Sequence, residues 1–237
     1  LLLTVKAVVL AGLCGVGAIV AIMVWMWECD QAPAGEIDIG GGIRLPSYAS
    51  GPVSHSWWAM VVLMLVAAAL YLSYLFGYLY LWTVAPQFWP GRSELPSLTS
   101  MPAPSALLVV SGVLLEACRR LLDSGHGRYG IIAVLLLGAF ALVGALGVDI
   151  VQHWQAGLRP QANGYAAMVY ANAALQAQIA GAVLLTAGFA AARLASGRID
   201  RVRRVVFDNL ALLWIYSLGQ TAFGLVLTHG FPRLVAA

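Results

Sequence analysis

The chain has 237 residues, of which 61% are hydrophobic and 10% charged, where an ordinary soluble domain carries roughly 25% charged residues. Thirteen Lys and Arg against ten Asp and Glu leave a formal charge of +3, too small and too scattered for the basic stripe that a nucleic-acid partner requires. A water-soluble globule and nucleic-acid binding are excluded, and the class that remains is an all-α, polytopic membrane protein.

Six apolar runs are long enough to cross a hydrocarbon core of about 30 Å. The first, Val5 to Trp27, starts close to Leu1, with neither an initial Met nor a signal-peptide cleavage pattern, so further sequence is expected to precede it. The loop after it, Glu28 to Ser56, is the longest. It carries Glu28, Asp30, Glu36 and Asp38 with the turn former Gly40-Gly41-Gly42, and reads as a linker dividing residues 1–46 from residues 47–237.

The second run, Trp57 to Val84, is dense in aromatics: Trp57, Trp58, Tyr71, Tyr74, Phe76, Tyr78, Tyr80 and Trp82, with Phe88 and Trp89 just beyond. Tryptophans at its two ends fit the two interfacial belts of a membrane helix. Trp57, Trp58, Tyr74, Tyr78 and Trp82 are the candidates for lipid contact or packing, and a stacking groove for a quinone or lipid headgroup is the sharper alternative. A Pro- and Ser-rich loop, Pro86 to Pro104, follows. The third run, Pro104 to Ala117, is the shortest. It spans by placing Glu116 near the interface and letting Arg119 and Arg120 snorkel outward. The fourth, fifth and sixth runs are Tyr129 to Trp154, Tyr165 to Leu194 and Val205 to Leu227.

Cytoplasmic loops carry the excess of Lys and Arg. Placing Arg44, Arg119, Arg120, Arg128, Arg193, Arg198, Arg201, Arg203 and Arg204 inside leaves Lys6, Arg92, Arg159 and Arg233 outside. That division predicts outer N- and C-termini for this segment. Cys14, Cys29 and Cys118 have no repeated spacing and form neither a disulfide framework nor a zinc signature.

Ionisable groups within spans are costly and mark candidate functional sites. Glu116 has Arg119 and Arg120 at the i+3 and i+4 spacing of an ion pair, with Arg120 as the better-placed partner. Asp149 and His153 are also i and i+4, as a structural hydrogen bond or a proton-accepting pair. Asp208, in the first turn of the sixth run, complements the helix dipole and follows five arginines. In the fifth run Asn172 and Gln176 share a face as interhelical glue, and Ala173, Ala177 and Gly181 form a small-residue stripe suited to close helix approach.

Of the four histidines, His55 and His126 lie in polar loops, whereas His153 and His229 both fall near the outer ends of their spans. A bis-histidine haem on that pair would make the chain a small b-type electron carrier. A transporter using Asp149, Glu116 and the fifth-run amides is a third class, for which inverted repeats are expected and none is visible. No Walker A, GxSxG, HExxH or CxxC motif occurs.

Three stretches carry a family resemblance. SWWAMVVLMLVAAALYLSYLFGYLYLWTVAP, Ser56 to Pro86, resembles the helix that opens the five-helix bundle of cytochrome c oxidase subunit III. DNLALLWIYSLGQTAFGLVLTHGFPRLV, Asp208 to Val235, resembles the last helix and tail of bacterial chains in which subunits I and III are fused, and NGYAAMVY, Asn163 to Tyr170, is similar to the family's segment before its penultimate helix. The chain departs from the family around Ala67 to Ala69, where a carboxylate is common, at Leu175-Gln176-Ala177-Gln178, where a His-x-x-His is common, and at Trp214-Ile215-Tyr216, which stands in place of a Trp-His-Phe-like element.

The resemblance implies six transmembrane helices, one preceding helix plus a five-helix subunit III-like bundle. It implies a non-catalytic subunit with no haem or copper of its own, in the bacterial inner membrane, partnered by catalytic subunit I (fused or separate) and subunit II. Such a subunit holds phospholipid in a cleft and helps sustain proton uptake while a haem-copper oxidase reduces oxygen to water. Haem and copper would then belong to the catalytic subunit or the upstream part of the polypeptide.

Overall fold

The computed structural model describes residues 7–29, 37–45, 54–86, 89, 100–201 and 203–235. Lys6 and Arg92 of the orientation count, Asp30 and Glu36 of the first loop, and Phe88 of the aromatic set lie outside the described residues. The chain divides into two compact units, Leu1–Pro52 and Val53–Ala237, so the division falls a few residues beyond the boundary expected from the loop.

In the first unit, helix α1 spans Val8–Cys29. Its apolar residues are unbroken by charge as far as Trp27, and their side chains are exposed or half-exposed all around, as expected of a helix that is hydrophobic on every face and solvated by lipid. A short antiparallel pairing joins β1, Ile37–Asp38, to β2, Arg44–Leu45. Gly40, Gly41 and Gly42 make the reversal between them, each at positive φ, where L side chains are strained.

The second unit is a helix bundle. Helix α2 is His55–Val84, α3 Pro102–Ser124, α4 Arg128–Gln155, α5 Gly164–Ala195 and α6 Val205–Leu225. Their ends follow local chemistry. The Ser54 hydroxyl accepts from the Trp57 N–H at 3.2 Å and caps α2, and the Asn163 amide oxygen accepts from the Ala166 N–H at 2.8 Å and caps α5. Helix α3 opens on Pro102, whose missing N–H costs nothing in a first turn, and closes on Gly125 at φ 70°.

Among the described residues six helices are long, and five of them, all but α3, are long and apolar enough to cross a membrane. The chain is a multi-pass, all-helical membrane protein. Helix α3 runs past the expected stop at Ala117 to Ser124. Its charges lower its mean hydropathy, yet they do not break the helix, because one face (Leu108, Ser111, Leu115, Cys118, Leu122) is buried in the bundle.

Helix α4 packs on both α3 and α5, while α6 packs on α5, α3 and α2. Leu135, Ala139 and Leu142 of α4 meet Val183, Ala187 and Ala190 of α5 and Phe207, Leu210 and Trp214 of α6 in one core. At its centre the Trp214 indole N–H donates to the Ser111 hydroxyl at 2.9 Å, which removes the penalty of burying both polar groups in an apolar core. Gly138 makes room for that ring, since a Cβ there would come within 3.1 Å of it.

Only Ala173 of the expected small-residue stripe on α5 is buried. Ala177 is exposed and Gly181 half-exposed, while the buried row runs through Asn172, Gln176, Ala180, Val183 and Ala187. The close helix approach comes from the partner side, at Gly224 of α6, which lies directly over the Asn172 and Gln176 amides. The buried row repeats at i+3 and i+4, the true period of a helix face, and this sets it apart from the neighbouring small-residue row.

Candidate functional site

The polar groups of the bundle gather where α4 ends, α5 begins and α6 ends. Here α6 leaves the α-helical register: Val226–Gly230 forms one π turn, followed by a last helical turn, α7, Phe231–Val235. The Phe231 N–H bonds back to the Val226 carbonyl, five residues earlier. Pro232 has no N–H to give to Leu227 in the π register or to Thr228 in the α register. Two successive carbonyls, of the buried Leu227 and Thr228, are therefore released inside the bundle, where each needs a donor.

Two buried tyrosines supply those donors. The Tyr78 hydroxyl of α2 donates to the Leu227 carbonyl at 3.0 Å, and the Tyr165 hydroxyl of α5 donates to the Thr228 carbonyl at 2.7 Å. The Thr228 hydroxyl donates to the Gly224 carbonyl at 2.9 Å. Farther along α2, the Tyr74 hydroxyl donates to the Met168 carbonyl at 3.1 Å and the Tyr71 hydroxyl to the Asn172 amide oxygen at 2.8 Å. Trp89 closes this end, with its ring centroid 5.0 Å from that of Tyr78 and 5.2 Å from that of Tyr165.

The π turn delivers His229 to Asp149. His229 Nε2 lies 2.8 Å from Asp149 Oδ1. His153, one turn beyond Asp149 on α4, sets Nδ1 2.9 Å from the Asp149 backbone carbonyl and 3.5 Å from Oδ1. The two imidazoles meet edge to face with centroids 4.7 Å apart. All three residues are buried, His153 and His229 to within 2% of full burial. His153 Nε2 and His229 Nδ1 have no hydrogen-bond partner.

The structure thus joins two features the sequence presents separately: the Asp149–His153 spacing and the matched depth of His153 and His229. A bis-histidine haem sets its macrocycle between the two ligating rings, whereas here the rings touch and share one carboxylate. The other polar pair, Glu116 and Arg120, bonds at 2.8 Å on the exposed side of α3, well away from this cluster. Asp208 pairs with Arg204 at 3.0 Å, and Arg204 also bonds Asp123 of α3. Of the aromatic candidates, Tyr74 and Tyr78 face inward, while Trp57 and Trp82 are half-buried and Trp58 is exposed. Trp82 packs on Phe231 with centroids 5.2 Å apart.

Tyr165 and the released carbonyls were not foreseeable as a set from spacing. The one local signal is the Thr228-His229-Gly230-Phe231-Pro232 string, whose Gly and Pro disturb a helix end. On the α2, α5 and α6 surface, a half-open hollow is lined by Ala67, Leu70, Tyr71, Leu175, Gln178, Ile179 and Gln220. Gln178 is exposed there, and the Gln220 amide oxygen is buried without a partner.

No family model and no characterised protein sequence matches the chain.

Proposed function

We propose that the chain is a non-catalytic structural and lipid-binding membrane module of a haem-copper cytochrome c oxidase, a complex that reduces oxygen to water and translocates protons in aerobic respiration. The observation that carries this reading is the convergence of the three resemblance-bearing stretches. Ser56 to Pro86 lies on α2, Asn163 to Tyr170 opens α5, and Asp208 to Val235 covers α6 to α7. Tyr74, Tyr78 and Tyr165 bond these stretches to one another. Their joining in one hydrogen-bonded unit is what supports the reading.

The surface supports a scaffolding role. An exposed amide such as Gln178, with the unmet Gln220 oxygen beside it, is costly against lipid tails and is satisfied by a neighbouring helix or a lipid headgroup. In this reading the catalytic subunit, fused upstream or separate, and subunit II are the partners. Haem and copper reside there, the membrane is the bacterial inner membrane, and both ends of this segment face outward.

The test is tagged purification of the full-length protein from its native membranes in mild detergent. The expected result is co-isolation, in one polypeptide or in a stable complex, with haem, copper and cyanide-sensitive oxygen consumption. Isolation as a colourless assembly with no oxygen consumption would overturn the proposal.

A further inference from the structure

We infer that Asp149, His153 and His229 form a binding site for one divalent transition cation of the zinc type, tying the end of α4 to the end of α6. This inference does not rest on the oxidase reading. One ligand atom from each of the three residues lies within 4.8 Å of the other two. A tetrahedral ion with bonds of about 2.0–2.2 Å draws such atoms together with small side-chain shifts. Two imidazoles and one carboxylate are the donor set that suits zinc and its neighbours, while magnesium and calcium select oxygen ligands. The fourth position is left to water.

The surroundings resemble the outer support of a metal site. A ligating histidine commonly gives its other ring N–H to a carboxylate or a backbone carbonyl, which fixes the tautomer. His153 directs Nδ1 at the Asp149 backbone carbonyl in this way, whereas His229 Nε2 lies on the Asp149 carboxylate itself and would exchange that hydrogen bond for the ion. Each ring then keeps one buried nitrogen with no hydrogen-bond partner, His153 Nε2 and His229 Nδ1. A buried lone pair left unmatched is unfavourable, and the one on His153, a residue only 1% exposed, is accounted for by a cation. The Tyr78 and Tyr165 bonds to the π turn hold His229 in place before any ion arrives.

The probe is zinc(II). Full-length protein in lipid nanodiscs is washed with a chelator, dialysed against zinc buffered by a competing ligand, and its zinc counted by elemental mass spectrometry, with iron and copper of any associated centre counted separately. The expected result is about one zinc per chain, reduced at least tenfold in Asp149→Asn and His153→Gln and unchanged in His126→Ala, whose ring is exposed. The zinc-edge absorption spectrum of the unaltered protein should show scattering from two imidazoles, a readout that needs no variant to fold. Failure of the unaltered protein to retain zinc, retention equal in Asp149→Asn, or a zinc shell without two imidazoles would each overturn the inference. A water molecule in place of the ion gives the first of these results. Haem content and oxygen consumption play no part in the readout, so this inference and the oxidase proposal fail separately.

Discussion

The two ends of the bundle handle polar groups in opposite ways. Where α3 ends and α6 begins, apart from the buried Arg193 of α5, the charged groups form ion pairs at the surface: Arg203 with Asp200 at 2.7 Å, Arg204 with Asp208 at 3.0 Å and with Asp123, and Glu116 with Arg120 at 2.8 Å. The carboxylates of these pairs are all between 43% and 51% exposed, so solvent screens them and each contributes little. At the other end Asp149, His153, His229, Tyr78 and Tyr165 are shut away from solvent. There an unmatched group forfeits its full solvation, and the penalty for breaking a contact is several times larger. Similar residue types thus form screened surface pairs at one end and fix a unique geometry at the other.

The largest effect that separates the two ends is expected from Asp149→Ala. It leaves the buried His229 Nε2 without its acceptor and removes the carboxylate beside His153, whose bond to the backbone carbonyl stays, and should lower stability by about 3–5 kcal/mol, read as the loss of the cooperative thermal transition of the protein in nanodiscs. Gly224→Ala comes next. Its new Cβ would overlap the Gln176 and Asn172 amides, and overpacking of this kind costs about 1–3 kcal/mol, visible as a lower unfolding temperature. Tyr78→Phe or Tyr165→Phe strips the donor from one released carbonyl and should cost about 1–2 kcal/mol each. Measured as a cycle, the pair should be non-additive, because both act on the same π turn. The smallest effect belongs to the charged end, where Glu116→Gln and Asp200→Asn should each change stability by less than about 1 kcal/mol, with the difference shrinking further in high salt. A charged-end variant as damaging as Asp149→Ala would erase the contrast.

The helices were legible because each apolar run is long and bounded by capping or turn residues, and Ser54 and Asn163 sit where α2 and α5 start. The end of α3 was not. Glu116, Arg119, Arg120 and Asp123 depress its hydropathy, so a reading by apolarity stops early, whereas a helix continues wherever one face is buried and stops at a residue such as Gly125. The α5 stripe misled for a related reason. Small residues permit close approach without requiring it, and here the approach is made by Gly224 on the opposing helix.

For the cluster, the i, i+4 spacing of Asp149 and His153 was readable because it lies within one helix. For His229 only the matched depth with His153 was readable, and not its contact with Asp149, which spans 80 residues and depends on a π turn. No periodicity announces such a turn. Pro232 and the tyrosines that satisfy the released carbonyls explain it only once the helices are placed side by side.

The most direct test of the functional account is the reduced-minus-oxidised optical spectrum of the complex purified through the full-length chain, taken for the unaltered protein and for the His153→Ala, His229→Ala double variant. The account predicts the bands of a haem-copper oxidase, with the same haem content per polypeptide in both. Absence of those bands, or their disappearance in the double variant, would contradict it, and the second outcome would make the chain a haem carrier in its own right.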